Sequence, residues 1–164
     1  MPTAAVNAHP TAADRLRTAG WQVVPFAPGP DLDAFALAGR ADAVLDLRLT
    51  DLADGTAGPD RLTAASVRGL PLVVGPGGLP ADLTPEAADR LALDVAQKVS
   101  ASNGPAAVVL PTRGRTPAAE VFDQAVRNWA YGFEVVEVDA AADDPAFAAA
   151  AADILRRLAQ SAGS

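Results

Sequence analysis

His9 is the one histidine in 164 residues, so imidazole-based proton transfer near neutral pH in this chain has to use it. It sits beside Pro10 at the end of an apolar run, where a residue that caps a helix is the competing reading. Asp46 and Asp139, each at the end of a β-like run, offer carboxylate partners, although aspartates at such points are also ordinary caps and turn formers. Arg48 follows Asp46 by two and adds a cation for an anionic or carbonyl-bearing substrate. The run V-V-G-P-G-G-L places Gly75, Gly77 and Gly78 where missing side chains let backbone amides approach a phosphate or carboxylate, or simply make a turn. Arg113, Gly114, Arg115 and Thr116 put two guanidiniums and a hydroxyl just ahead of a helix start. That arrangement suits an anion cradle, or surface arginines paired with the many acidic residues of the chain.

Other chemistries are excluded by composition. Without cysteine there are no disulfides, thiolate metal sites or thiol nucleophiles. The acidic series Asp42, Asp46, Asp51 and Asp54 matches no zinc or EF-hand spacing, so no metal is expected. No G-x-G-x-x-G or G-x-x-x-x-G-K-[ST] motif is present, and no cofactor is expected. Thirteen basic against 20 acidic residues give a formal charge of -7, which argues against tracking nucleic acid or binding an anionic membrane. No signal-peptide pattern and no apolar run long enough to span a bilayer are present, so the reading is a cytoplasmic protein. The abundance of Ala, Gly, Pro and Arg reads as GC-rich bacterial coding.

The elements that must position these groups alternate strictly. Strands are predicted at Ala4 to Val6, Gln22 to Phe26, Ala43 to Leu47, Leu72 to Gly75, Ala107 to Leu110 and Glu134 to Val138. Each is short and continuously apolar, as in a sheet covered on both faces. Helices are predicted at Thr11 to Ala19, Leu32 to Ala38, Arg61 to Arg68, Pro85 to Ser100, Ala118 to Ala130 and Pro145 to Gln160. Thr84-Pro85 and Thr116-Pro117 are cap-then-proline starts, Asp143-Asp144-Pro145 is another cap, and Gly20, Gly39, Gly69 and Gly104 are stops. Residues 161–164 are expected to fray. With 50% hydrophobic residues and no evident linker or repeat, the expectation is one α/β domain. It is a Rossmann-like open parallel sheet of about six strands with helices on both faces. In such sheets ligands bind beyond the carboxyl ends of the strands, where the polar and glycine-rich segments fall.

Several blocks in order carry a family resemblance: V-L-D-L-R-L-T-D-L-A-D, T-A-G-P-D-R-L-T-A-A, G-L-P-L-V-V-G-P-G-G-L, L-T-P-E-A-A-D-R-L-A, N-G-P-A-A-V-V-L-P-T-R-G and E-V-V-E-V-D-A-A-A-D-D-P-A-F-A. Together they resemble the C-terminal domain of the Tm-one-like ATP-binding family, named for a plant tobamovirus-resistance protein. Members of that family normally carry an additional N-terminal Rossmann-like domain. The chain departs from the family pattern at its polar loops. Phe26-Ala27-Pro28-Gly29-Pro30 stands where the family has F-H-A-T-G-x-G-G, Gly114-Arg115-Thr116 replaces G-V-S, and an asparagine-rich piece with H-N-P is missing after Leu79. The resemblance therefore implies the scaffold, and the lost glycine pair implies that ATP binding is not retained.

Two functions are compatible with this reading. One is a stand-alone binding or assembly domain for a small anionic molecule, forming a homo-oligomer or docking on a separately encoded partner. Trp129 and Tyr131, near a helix end, are then candidates for an interface as well as for the core. The other is a small cofactor-independent enzyme of proton-transfer or lyase type, with specialised metabolism as one setting, His9 and Asp46 catalytic and Arg48, Arg113 and Arg115 holding the substrate.

Overall fold

A computed structural model describes residues 1–162. Six strands, β1 (Thr3–Asn7), β2 (Gln22–Pro25), β3 (Ala43–Arg48), β4 (Leu72–Gly77), β5 (Ala106–Pro111) and β6 (Glu134–Val138), form one sheet in the order β2-β1-β3-β4-β5-β6. Every neighbouring pair is parallel. The connecting helices are α1 (Pro10–Thr18), α2 (Pro30–Leu37), α3 (Thr50–Ala53), α4 (Ala64–Arg68), α5 (Pro85–Ser100), α6 (Pro117–Asn128) and α7 (Pro145–Ala162). This is the predicted Rossmann-like open sheet.

The strands are apolar on both faces because both are covered. Val44, Leu72, Val74 and Val108 pack under α2, α4, α5 and α6, while Leu45, Val73, Ala107 and Val109 pack under α1 and α7. Adjacent residues point to opposite faces, so a continuous apolar run is what a doubly covered strand requires. In α5 the buried set Ala88, Leu91, Ala92, Val95, Ala96 and Val99 recurs at helical spacing and forms one stripe on the sheet.

The predicted caps are present. Thr84 Oγ1 and Thr116 Oγ1 accept from the amides of Ala87 and Ala119, each at 3.1 Å, and Asp144 Oδ1 accepts from Ala146 N at 2.8 Å. Gly20, Gly39 and Gly69 stop their helices in the left-handed region. Gly104 differs, because α5 has already ended at Ser100 and Gly104 instead packs closely on the Gly69 carbonyl. The end of the chain departs from the prediction as well: α7 continues through Ser161 to Ala162, and residues 163 and 164 lie outside the described residues.

The largest departure lies between β3 and β4. The helix predicted from Arg61 begins only at Ala64, a short α3 precedes it, and Leu62 takes φ 67° in the left-handed region while buried. A leucine pays a conformational penalty there that tertiary contacts must offset. Those contacts are made by its neighbour Arg61, whose guanidinium is drawn into the protein.

Candidate functional site

Strand order reverses direction between β1 and β3, which makes the carboxyl ends of these two strands the switch point of the sheet, the usual ligand position in open α/β folds. On the α2/α4 side of this edge lies a buried polar cluster. Asp46, fully buried, receives both terminal nitrogens of Arg61: Nη2 donates to Oδ1 at 3.0 Å and Nη1 to Oδ2. Arg61 Nε donates to Asp51 Oδ2 at 2.7 Å, and Nη1 stands 3.5 Å from Asp33 Oδ2. Arg61 Nη2 also donates to the Arg48 carbonyl at 3.2 Å. Asn7 Nδ2 donates to Asp46 Oδ1 at 2.9 Å and to the same carbonyl at 3.0 Å, which fixes the orientation of its amide.

Three carboxylates thus surround one guanidinium. Burial works against the charge of Arg61, yet hydrogen bonds and Coulomb attraction from Asp46 and Asp51 hold its pKa above the ordinary arginine value. Asp33 moves the other way, pushed up to about 6 by burial and then by the Asp46 charge, against the attraction of Arg61. Asp33 Oδ2 and Asp51 Oδ1 have no hydrogen-bond partner. Asp46 therefore stands as an internal ion-pair acceptor with no exposure to a substrate, and Asn7, Asp33, Asp51 and Arg61 are its partners. Sequence reasoning placed Arg61 at a helix start and Asp33 within a helix, and gave neither a role. The available signal was Asp46 itself: an aspartate framed by leucines in a doubly covered strand requires a buried cation. Nothing in the sequence selects which of 13 basic residues supplies it.

On the α1/α7 side of the same edge is a cavity of about 190 Å³, lined by His9, Leu47, Arg48, Gly77, Gly78, Ala142, Asp143 and Ala148. It brings together His9, Arg48, Gly77 and Gly78 among the residues singled out from the sequence. An irregularity in the β3–β4 pairing builds this corner: Asp46 pairs with Val74 but Arg48 with Gly77, so β4 carries an extra residue at Gly75-Pro76. Such a bulge re-aims the strand end, and proline, lacking an amide hydrogen, is tolerated there. A side chain at Gly77 would strike the Leu47 carbonyl oxygen, and one at Gly78 (φ 76°) would strike Thr50 Oγ1. Gly75 does not line the cavity; it is buried against Leu47, Val109 and Phe147.

His9 is the N-cap of α1, its Nδ1 accepting from Thr11 N at 3.2 Å, so the neutral ring carries its proton on Nε2. Capping and lining the cavity are compatible, because they use different nitrogens. Among the described residues, Arg48 is the one partly buried cation that forms no ion pair.

The loop after β5 stands apart from this cavity. Arg113 pairs with Asp139, Nε to Oδ1 at 2.7 Å and Nη2 to Oδ2 at 3.1 Å, and Thr112 Oγ1 donates to the same Oδ1 at 3.0 Å. These bonds hold the Asp139 carboxyl below its usual range. Arg115 lies 3.4 Å from Asp123, Thr116 caps α6, and Gly114 (φ 64°) packs against Ala141. Both guanidiniums expected to receive an anion have acidic partners from the chain itself. Asp123 is buried and its pKa is pushed up to about 6 by burial, against the hydrogen bond and charge of Arg115.

Asp33 and Asp123 both hold a proton more tightly folded than unfolded. Their contribution is therefore fully present below the unfolded value of 3.8 and is lost as pH rises through about 6. Asp123→Asn is expected to flatten that decline. In urea denaturation the variant should match the wild type at about pH 4 and exceed its stability by about 1–3 kcal/mol at about pH 7.5. Parallel profiles for the two proteins would contradict the assignment.

No group of three or more His, Asp or Glu side chains suited to hold a metal ion occurs among the described residues, and no helix there is long and apolar enough to cross a membrane. In comparisons with known proteins, no protein-family model and no curated protein matches the chain.

Proposed function

We propose that this chain is a binding domain for a small anion that also carries a hydrogen-bond donor, such as a short hydroxy acid, at the carboxyl edge of β1, β3 and β4. The observation that carries this reading is Arg48, a partly buried cation without an ion pair on a cavity shared with His9 and the Gly77-Gly78 backbone. A guanidinium and the His9 Nε2 proton suit a carboxylate or phosphate, and Asp143, on the same cavity, suits a ligand hydroxyl or amine. At about 190 Å³ the space falls below that of pockets for drug-sized ligands, which supports a ligand of few heavy atoms over a nucleotide. We also propose, on the blocks of sequence resemblance alone, descent from a Tm-one-like C-terminal domain that no longer binds ATP.

A thermal-shift screen with short hydroxy acids, sugar phosphates, acyl thioesters and nucleotides tests the proposal. A ligand present at about 100 times its Kd should stabilise the fold by about 3 kcal/mol. Arg48→Ala should remove the shift, His9→Ala should reduce it, and Arg113→Ala should leave it intact because that guanidinium is held by Asp139. A shift lost in Arg113→Ala but kept in Arg48→Ala would move the site to the β5 loop and refute this reading. Turnover of a hit, abolished in His9→Ala, would favour the enzyme.

Self-association is a second reading, supported by Trp129 and Tyr131, which are 50% and 76% exposed just after α6. Light scattering on the wild type and Trp129→Ser distinguishes a homo-oligomer built on this surface from a monomer.

A further inference from the structure

The His9–Arg48 cavity carries two full charges of opposite sign. Arg48 comes from the end of β3 and is half-buried, its stem running past Gly77, where an added Cβ would stand 3.7 Å from Arg48 Cγ. Asp143 comes from the turn ahead of α7 and is exposed. Both line the same space of about 190 Å³. Among the described residues neither has an ion-pair partner, and they form no ion pair with each other. The neighbouring Asp144 is engaged differently, since its Oδ1 caps α7 by accepting from Ala146 N at 2.8 Å. Asp143 is therefore the carboxylate that this turn offers to a ligand.

Charge decides among the ligands that an anion site admits. A plain carboxylate pairs with Arg48 but sets a second negative group near Asp143. A hydroxy acid donates to Asp143 through its hydroxyl, yet brings the same net charge. A phosphate monoester brings more negative charge still. A simple amine suits Asp143 and is repelled by Arg48. A molecule with both a carboxylate and an ammonium matches the two groups and adds no net charge.

We infer that the cavity takes a small amino acid, its carboxylate on Arg48 and the His9 Nε2 proton, its ammonium on Asp143 and its carbon atoms against Leu47 and Ala148. This rests on the anion-binding reading above and narrows the second group of the ligand from any hydrogen-bond donor to an ammonium. His9 can donate from Nε2 because its Nδ1 already accepts from Thr11 N. Leu47 and Ala148 are buried apolar walls of the same space, and its volume suits an amino acid of few heavy atoms.

Alanine and lactate are the deciding pair, because they differ in carrying an ammonium or a hydroxyl on the same carbon. With β-alanine, propionate and ethylamine, they are titrated into the protein at about pH 7, where carboxylates and amines are both charged, and followed by the amide resonances of His9, Gly77 and Gly78. Alanine or β-alanine is expected to bind saturably, and about fivefold or more tighter than lactate, propionate or ethylamine. In Asp143→Asn, an exposed substitution outside the core, the preference for the amino acid over lactate should fall by about fivefold or more. Arg48→Ala should weaken amino acid and lactate together. Lactate binding as tightly as both amino acids, or a preference unchanged in Asp143→Asn, overturns the inference and leaves the anion site standing. Ethylamine binding as tightly as both amino acids, or no saturable shift with any probe up to about 10 mM, overturns the inference and the anion site alike.

Discussion

Replacing Arg61 with Met should destabilise the protein by about 3–5 kcal/mol at neutral pH, the cost of leaving buried charge without its partner. Methionine keeps much of the volume of the side chain but removes the guanidinium that faces Asp33, Asp46 and Asp51, whose side chains are 9%, 0% and 9% exposed. The three carboxylates must then either repel one another unscreened or take up protons. The loss relative to wild type should therefore shrink when measured at about pH 5, because protonation removes the repulsion that Arg61 normally balances. Adding Asp46→Asn should recover a substantial part, since the two substitutions act on one network and are not additive. Urea denaturation at the two pH values reads all of this. A loss below about 1 kcal/mol would mean that the cluster is solvated and Arg61 is an ordinary surface arginine.

Gly77→Ala is expected to cost about 3 kcal/mol, at the upper end for overpacking, because the atom in the way belongs to the backbone. The added Cβ meets the Leu47 carbonyl oxygen, and Gly77 O itself accepts from Leu49 N at 2.8 Å, so β3 and β4 cannot part without breaking a ladder bond. Arg48 pairs with Gly77 across the bulge, so the same substitution should also abolish the anion-dependent thermal shift. Gly55→Ala is the control. It carries the same left-handed strain as other turn glycines, φ 79°, but nothing lies within 4 Å of its Cβ, so only about 1 kcal/mol is expected. Gly77 is not in the left-handed region, so a loss there no larger than at Gly55 would show that the close approach of β3 and β4 does not govern it.

The alternation of strands and helices was readable because both periodicities are local. V-L-D-L in β3 and V-V-G in β4 are apolar on successive residues, and α5 shows its buried stripe at helical spacing. Thr84, Thr116 and Asp144 act as caps because a hydroxyl or carboxylate needs only the amides two or three residues ahead. Arg61 failed as a local reading. The stretch D-R-L-T-A-A reads as the start of a helix, yet long-range attraction to Asp46 and Asp51 draws Arg61 inward, and Leu62 takes up the left-handed backbone beside it.

Site residues divide the same way. His9, Arg48, Gly77 and Gly78 were legible as strand-end groups of suitable chemistry, and they meet at one cavity because parallel strands bring their carboxyl ends to one edge. Arg113 and Arg115 had equally suitable chemistry and the same kind of position. Asp139 and Asp123 hold them, a pairing across 26 and 8 residues that composition made plausible and only packing could assign. Residue order and composition alone were enough for the fold class, the edge of the sheet that carries the polar groups, and the exclusion of thiol chemistry. Tertiary structure decided the strand order, and with it the switch point between β1 and β3, and the burial of Asp46 under Arg61. Strand propensity and caps depend on neighbours a few residues away, whereas the partner of a buried charge is chosen by the geometry of the whole chain.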